Sequence, residues 1–93
     1  MKIVTCNRGK KISIQRHTHR GDLWVALDPG VVVDRDGAEL RPAVGEEIWL
    51  PQGSTHRLRC DAATGHPVRV LEVSLGTFDE ADIERLQDDY GRR

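Results

Sequence analysis

The feature that most constrains the fold of this chain is an apolar periodicity of two, repeated in short segments along most of its 93 residues. Turn-forming groups such as Asp28-Pro29-Gly30, Asp36-Gly37 and Pro51-Gln52-Gly53 separate these segments. Successive side chains of an extended strand point to opposite faces, so this period favours strands over helices. The sequence therefore predicts seven short strands, over residues 11–19, 23–27, 30–34, 38–41, 46–50, 55–60 and 67–75.

Short strands at this spacing are typical of a small antiparallel sandwich or barrel. Near the C-terminus the period becomes helical, because a capping-box pattern precedes an apolar stripe that includes Ile83 and Leu86. We therefore predict a single all-β domain over residues 1–93, an antiparallel β-barrel closed by a C-terminal helix over about residues 78–89.

Composition argues against several classes of partner. The chain has 14 Lys plus Arg against 15 Asp plus Glu, and these charges are interspersed, so we expect neither a nucleic acid nor a membrane surface as partner. The N-terminal residues lack the apolar core of a signal peptide, and no run reaches membrane-spanning length. We therefore expect a cytoplasmic protein, in which Cys6 and Cys60 are free thiols.

Metal-competent side chains cluster between Gln15 and Asp22, and one more follows the turn near residue 53. The first two are histidines spaced two apart, so on a strand they project to the same side. Asp22 comes just after them, where a short turn could return its carboxylate. Imidazole and carboxylate ligands suit Zn, Mn, Fe, Ni or Cu and leave coordination positions open. We predict a divalent metal site with four ligands: His17, His19, Asp22 and His56.

The histidine strand also admits another interpretation, in which its apolar face forms the core. Ile12 and Ile14 lie on the face opposite to the histidines, and turning them inward would leave the histidines in water. If the histidine face instead lines a cavity, as His56 favours, the isoleucines need cover from another layer or a second subunit. We therefore predict a homodimer with Ile12 or Ile14 near its interface.

The two halves of this pattern resemble the two cupin motifs, with Gly9 opening the first half and the four predicted ligands at the usual ligand positions. The segment from Gly9 to Trp24 and the tail from Val70 to Arg92 also look like the C-terminal cupin domain of type II mannose-6-phosphate isomerases. Members of that family are commonly fused to a mannose-1-phosphate guanylyltransferase domain. These 93 residues contain no such domain, so we do not expect nucleotidyl transfer.

The resemblance implies a metal-dependent aldose-ketose isomerase that acts on mannose 6-phosphate or a similar sugar phosphate. Such a reaction needs a Lewis acid, a base and a cation for the phosphate. We predict catalytic roles for Glu72, Arg20 and Lys11, and substrate contacts from Arg20, Arg57 and Gln15, which is also a neighbour or substitute for the metal ligands. Two alternatives stay open: a non-catalytic sugar-binding or regulatory cupin module, and another small metal-dependent cupin enzyme, such as an oxygenase or a lyase.

Overall fold

The computed structural model describes residues 1–11, 14–16, 20–76 and 84–87, and all regular elements in that part of the chain are strands. These are β1 (Lys2–Cys6), β2 (Ile14–Arg16), β3 (Arg20–Ala26), β4 (Val31–Arg35), β5 (Ala38–Leu40), β6 (Glu47–Leu50), β7 (Thr55–Cys60), β8 (Val68–Gly76) and β9 (Glu84–Gln87). Among the described residues, none lies in a helix long and apolar enough to cross a membrane.

The strands form two antiparallel sheets that face each other across one core. One sheet has the order β1-β8-β3-β6, and the other has the order β5-β4-β7-β2-β9. Both sheets contribute to the buried cluster, whose members are Cys6, Trp24, Ala26, Val31, Val33, Ile48, Leu50, Leu58, Cys60, Val68 and Val70. The predicted antiparallel β-barrel is therefore confirmed. Cys6 and Cys60 are buried free thiols, as expected, and burial raises the pKa of Cys6.

Sequence periodicity located most of the strands well. The strands from β4 to β8 agree with the predicted segments within one residue at each end. β1 is an additional strand, and its Cα partners run from Lys2 opposite Glu72 to Cys6 opposite Val68. Periodicity alone did not single out this short segment, because its stability as a strand comes from hydrogen bonding to β8.

The predicted strand over residues 11–19 is described only in part. Lys11 forms an isolated bridge with Arg59, and Ile14–Arg16 form β2, which pairs with β7 and β9. Ile12, His17 and His19 lie outside the described residues. The next strand, β3, begins at Arg20, three residues before its predicted start.

The predicted C-terminal helix needs a correction where the structure describes that segment. Of residues 78–89, only Glu84–Gln87 are described, and these four residues form β9 rather than a helical turn. They pair antiparallel with β2, so the backbone groups of the short β2 strand are hydrogen-bonded on both sides. Pairing to an open sheet edge satisfies the same backbone groups that a helix would, and the apolar stripe of this segment is too narrow to favour a helix strongly. The rest of the predicted helix lies outside the described residues.

The outer face of the five-stranded sheet carries a network of ion pairs. Arg59 donates to Asp34 through Nε at 2.7 Å and to Glu39 through a second guanidinium nitrogen at 2.6 Å. Arg41 donates to the other oxygen of Glu39 at 3.0 Å. Hydrogen bonds from Arg59 and then Arg41 hold the pKa of Glu39 below its usual value of 4.5. Charged groups therefore cover this side of the barrel.

Two further surface carboxylates are stabilised in their ionised form. The backbone N–H of Ala63 and the Arg41 guanidinium hold the pKa of Asp61 below its usual value of 3.8. A bidentate hydrogen bond from Arg69, at 2.8 and 3.0 Å, does the same for the pKa of Asp28. A carboxyl group with a depressed pKa in the folded state stabilises the fold above its unfolded pKa, and this contribution is lost as the pH falls through the folded pKa.

We therefore expect the thermal unfolding midpoint to be nearly constant near neutral pH and to fall once the pH drops below about 4.5. Circular dichroism melts across this range would measure it. Arg59→Gln should flatten the acid dependence because it removes a partner of two carboxylates, whereas Arg8→Gln, which removes an exposed charge near the end of β1, should leave it unchanged. Identical acid profiles for the wild type and Arg59→Gln would contradict the assignment.

Candidate functional site

Polar side chains on the inner faces of both sheets are buried inside the barrel. Asp22 and Trp24 are two residues apart on β3, share its inward face and are 1% and 2% exposed. His56, on β7 of the opposite sheet, is 3% exposed. Its ring centroid lies 5.3 Å from that of Trp24, with the two rings nearly perpendicular at 81°. The interior therefore holds a carboxylate and an imidazole supplied by opposite sheets.

The turn before β7 sets where that strand begins and so places His56 at this buried position. Ser54 closes the turn by donating to the Pro51 carbonyl oxygen, both from its N–H at 2.9 Å and from its hydroxyl at 2.6 Å. The N–H of Thr55 then donates to Asp36 at 2.9 Å, which ties the start of β7 to the β4–β5 hairpin. His56 follows and faces inward like Leu58. The predicted turn therefore positions the predicted histidine.

Asp22 reaches the interior by a different route from the one expected. It is the third residue of β3, and its Cα partners are Leu50 on β6 and Ser74 on β8. The expectation that Asp22 follows the strand and returns through a turn is therefore wrong. Strand alternation alone directs its side chain inward, because the strand begins at Arg20.

Glu72 also faces the interior, where its two carboxylate oxygens have partners. Trp24, its Cα partner on β3, donates from Nε1 to Oε1 at 2.9 Å. The Lys2 ammonium lies 3.6 Å from Oε2. These contacts give each oxygen of the buried Glu72 carboxylate a partner, and the residue is only 5% exposed. A cavity of about 350 Å³ opens at this point, lined by Met1, Lys2, Glu72 and Ser74.

The four predicted metal ligands divide into two pairs. Asp22 and His56 are buried on the inner faces of opposite sheets, whereas His17 and His19 lie outside the described residues. Among the described residues alone, no group of three or more histidine, cysteine, aspartate or glutamate side chains could hold a metal ion. One oxygen donor and one nitrogen donor inside a barrel suit a divalent ion, because carboxylate oxygens and imidazole nitrogens are common ligands of divalent metals. The described residues therefore fit half of the predicted ligand set.

The residues predicted to contact substrate are not all near this interior. Arg57 is buried, but it follows His56 on β7 and therefore points to the opposite, outer face, where Asp34 is its Cα partner. Lys11 is exposed, and its Cα partner Arg59 also belongs to the outer face. Strand alternation therefore assigns both residues to the outer face, where Arg57 lines a cavity of about 220 Å³ that His56 also borders.

Two other residues that were predicted to contact substrate, Gln15 and Arg20, occupy strand positions next to His56 and Asp22. Gln15 is the Cα partner of His56, and Arg20 precedes Asp22 by two residues on β3. The side chains of Gln15 and Arg20 lie outside the described part of the structure. Their substrate contacts stay predictions.

Sequence patterns did not connect Glu72 with two of its neighbours, the buried Trp24 and the mostly exposed Lys2. The sequence did contain the relevant patterns. Trp24 is two residues after Asp22, so the two side chains lie on the same face of a strand, and Lys2, Val4 and Cys6 alternate with Ile3 and Thr5. The sequence did not show that β1 and β3 both pair with β8. This pairing places Lys2 on one side of Glu72 and Trp24 on the other.

Comparison with known proteins gives a consistent family. The family described as "Mannose-6-phosphate isomerase C-terminal" matches residues 1–88. The alginate biosynthesis protein AlgA of Pseudomonas aeruginosa is 32% identical over 99% of this chain and 19% of its own length. The mannose-1-phosphate guanylyltransferase of Escherichia coli K12 is 33% identical over 99% of the chain and 19% of its own length. The cupin domain of Schizosaccharomyces pombe Cnp3 superposes with a TM-score of 0.71 at 13% identity, over 81% of this chain and 53% of that domain's chain, and shows the fold alone.

These relatives correct the predicted activity. They are named for alginate biosynthesis and for guanylyl transfer to mannose 1-phosphate, so the prediction that this chain is a sugar-phosphate isomerase is wrong. The catalytic roles of Glu72, Arg20 and Lys11 were specific to that reaction. The chain spans about one fifth of the length of the relatives it matches, and the activities in their names are those of whole proteins. With two facing antiparallel sheets and a family match over residues 1–88, the chain belongs to the mannose-6-phosphate isomerase C-terminal family, and its fold is that of a cupin.

Proposed function

We propose that this chain is a ligand-binding cupin module in the mannose-phosphate chemistry of polysaccharide biosynthesis, with a divalent metal ion held inside its barrel. The observation that carries the proposal is the interior group of Asp22 and His56, which are nearly inaccessible to solvent and come from opposite sheets. A barrel interior built only for stability would favour apolar side chains there, because moving polar groups out of water costs free energy. The ligand we propose is a mannose phosphate.

The metal would be held by a carboxylate oxygen of Asp22 and an imidazole nitrogen of His56, and His17 and His19 are the predicted remaining ligands. Zn, Mn, Fe or Ni fits this donor set. Such an ion would supply a Lewis acid that attracts hydroxyl or phosphate oxygens of the sugar. Trp24 packs edge-on against the His56 ring and restricts its orientation, and orientation of ligand rings by their neighbours supports metal affinity.

Mannose 1-phosphate is the ligand to test first, because it is the sugar phosphate in the name of the E. coli relative. Arg20 stays the predicted phosphate contact, since it lies two residues before Asp22 on the same strand. Lys2, which is more than half exposed beside Glu72, supplies a second positive charge at the nearby opening. The proposal is for binding of this ligand, and it includes no turnover.

Tryptophan fluorescence tests the proposal directly. The chain has two tryptophans, so a Trp49→Phe variant leaves Trp24 as the only one, 5.3 Å from the His56 ring. We expect Mn²⁺ or Ni²⁺ to change Trp24 emission in a saturable way, and mannose 1-phosphate to change it further only in the metal-loaded protein. Galactose 1-phosphate is the control, because it carries the same phosphate on a different sugar.

Two results would count against this function. A Trp24 emission that does not respond to any of these ions would remove the metal and, with it, the proposed site. A saturable metal response without any effect of mannose 1-phosphate would keep the metal site but exclude that ligand.

A further inference from the structure

The two cysteines of the chain lie together in the core, although they come from different sheets. Cys6 ends β1 and Cys60 ends β7, and they are 2% and 5% exposed. The Cys6 thiol donates to the Lys10 carbonyl oxygen, with Sγ 3.1 Å from it, and the Cys60 backbone N–H donates to the same oxygen at 3.1 Å. One carbonyl oxygen is therefore shared by the sulfur of one cysteine and the backbone of the other.

The separation of the two strands suits a bond between these cysteines. Cα atoms of β1 lie within 8 Å of Cα atoms of β7. Disulfide bonds join residues whose Cα atoms are about 4.4–6.8 Å apart. The turn over residues 7–10 fixes the Lys10 carbonyl, because the Lys10 N–H donates to the Asn7 carbonyl oxygen at 3.0 Å and Gly9 has a φ of +71°, a conformation that favours glycine. The backbone therefore holds two free thiols at close range.

A cavity of about 430 Å³ borders Cys60 at the end of β7. Its charged lining consists of Lys10, Lys11, Arg41, Arg59 and Asp61. Cys6 is absent from the described lining, so the cavity gives access to one cysteine of the pair. Oxidisable cysteines in proteins typically lie in accessible surroundings rich in basic side chains. Basic groups around the cavity also stabilise the negative charge that develops on a leaving oxygen.

The surroundings of Cys6 give it a different part in such chemistry. Burial raises the pKa of the Cys6 thiol, and the neighbouring Cys60 raises it further. Cys6 therefore stays protonated at neutral pH and is shielded from solvent. A thiol of this kind reacts with a group that forms beside it rather than with a reagent in solution.

We propose that Cys60 is a site of oxidation by hydrogen peroxide and that Cys6 converts the product into an intramolecular disulfide. In the first step, Cys60 Sγ attacks one peroxide oxygen, the O–O bond breaks, and the thiol proton leaves with the other oxygen as water. Cys6 Sγ then attacks the sulfur of the Cys60 sulfenic acid, the S–O bond breaks, and the hydroxyl group leaves with the Cys6 proton as a second water. The two thiols lose two electrons, and the peroxide gains them.

The disulfide would join β1 of the four-stranded sheet to β7 of the five-stranded sheet. Cys60 is the last residue of β7, whereas His56 lies near its beginning. The bond would therefore form at the end of β7 that is farther from the interior group of Asp22 and His56. Oxidation is independent of the proposed ligand, so failure of either proposal leaves the other standing.

Mass spectrometry of the native chain after brief treatment with hydrogen peroxide tests this proposal. We expect the wild type to lose two hydrogen atoms, to regain them with dithiothreitol, and to yield a linked pair of peptides that contain Cys6 and Cys60. The oxidised chain should melt about 5 °C or more above the reduced chain, because the cross-link restricts the unfolded state. Met1 is 89% exposed, so its conversion to the sulfoxide shows that peroxide has acted.

Single variants separate the two steps. Cys6→Ser should stop after the first step, so that dimedone labels the Cys60 sulfenic acid, whereas Cys60→Ser should leave Cys6 unlabelled. Circular dichroism would verify the fold of each variant. Lys10→Gln removes a basic group of the cavity and should slow the oxidation of Cys60 by about twofold or more. Arg8→Gln is the matched control, because Arg8 belongs to the same exposed turn but not to the described lining.

Three results would overturn the proposal. The first is a wild type that is oxidised at Met1 but keeps both thiols. The second is a disulfide that links two chains, because the two cysteines of one chain would then be too far apart to react. The third is an oxidised chain that melts below the reduced chain, because the bond would then form only by disrupting the barrel.

Discussion

Replacing Trp24 with alanine is expected to lower the free energy of unfolding by about 3–5 kcal/mol, the usual cost of truncating a buried aromatic residue. Trp24 is 2% exposed, its ring contacts His56 on the other sheet, and its indole N–H donates to Glu72. Small domains have a total stability of only about 5–10 kcal/mol, so this variant should be close to unfolded at ambient temperature. Urea unfolding followed by circular dichroism would measure the loss.

Trp24→Phe separates the packing of the ring from its hydrogen bond. Phenylalanine keeps much of the aromatic volume but lacks the donor to Glu72 Oε1, so we expect a smaller loss of about 1–3 kcal/mol. Trp49→Phe is the control, because the Trp49 side chain is 44% exposed and should contribute much less to the stability of the monomer. If Trp24→Ala and Trp49→Ala destabilised the chain equally, Trp24 would not be the link between the two sheets.

Replacing His56 with alanine is expected to weaken divalent metal binding by more than about 100-fold. Loss of a residue that only supports a metal ligand typically costs about 10- to 100-fold in affinity, so loss of a ligand itself should cost more. Asp22→Asn should also weaken binding while nearly preserving side-chain volume, and the double variant should show no stoichiometric metal. Isothermal titration calorimetry and metal analysis after dialysis would measure these affinities.

His66 provides the matched control for the metal experiment. It is exposed in the loop before β8, where its Nδ1 atom lies 2.8 Å from the Pro67 carbonyl oxygen, so His66→Ala should leave metal binding unchanged. Circular dichroism of each apo variant would separate loss of a ligand from loss of the fold. Equal metal affinity for the wild type and His56→Ala would show that the ion, if bound, is held elsewhere.

Local sequence patterns were sufficient to predict most of the strands and the position of His56, one of the two residues of the interior group. The period of two and the turn residues located the strands from β4 to β8, because alternation and turn chemistry are encoded over a few neighbouring residues. The turn residues Pro51-Gln52-Gly53 likewise predicted the position of His56, since a tight turn is a local structure that sets where the next strand begins. The activity of the chain could not be predicted from these local patterns, because proteins that share one fold can have many different activities.

The sequence by itself determined an antiparallel all-β chain, because strand alternation and turns follow from side-chain type and spacing, and it predicted the four metal ligands on the same basis. Only the tertiary structure decided which face of each strand lies inside. β1 pairs with β8, and β8 pairs with β3, which sets Lys2 and Trp24 beside Glu72. The packing of one sheet on the other then brings His56 to Trp24. The same alternation leaves Leu23, Val25 and Leu71 on the outer face of the four-stranded sheet, because a strand with apolar residues on both faces does not reveal its inward side until its partners are known.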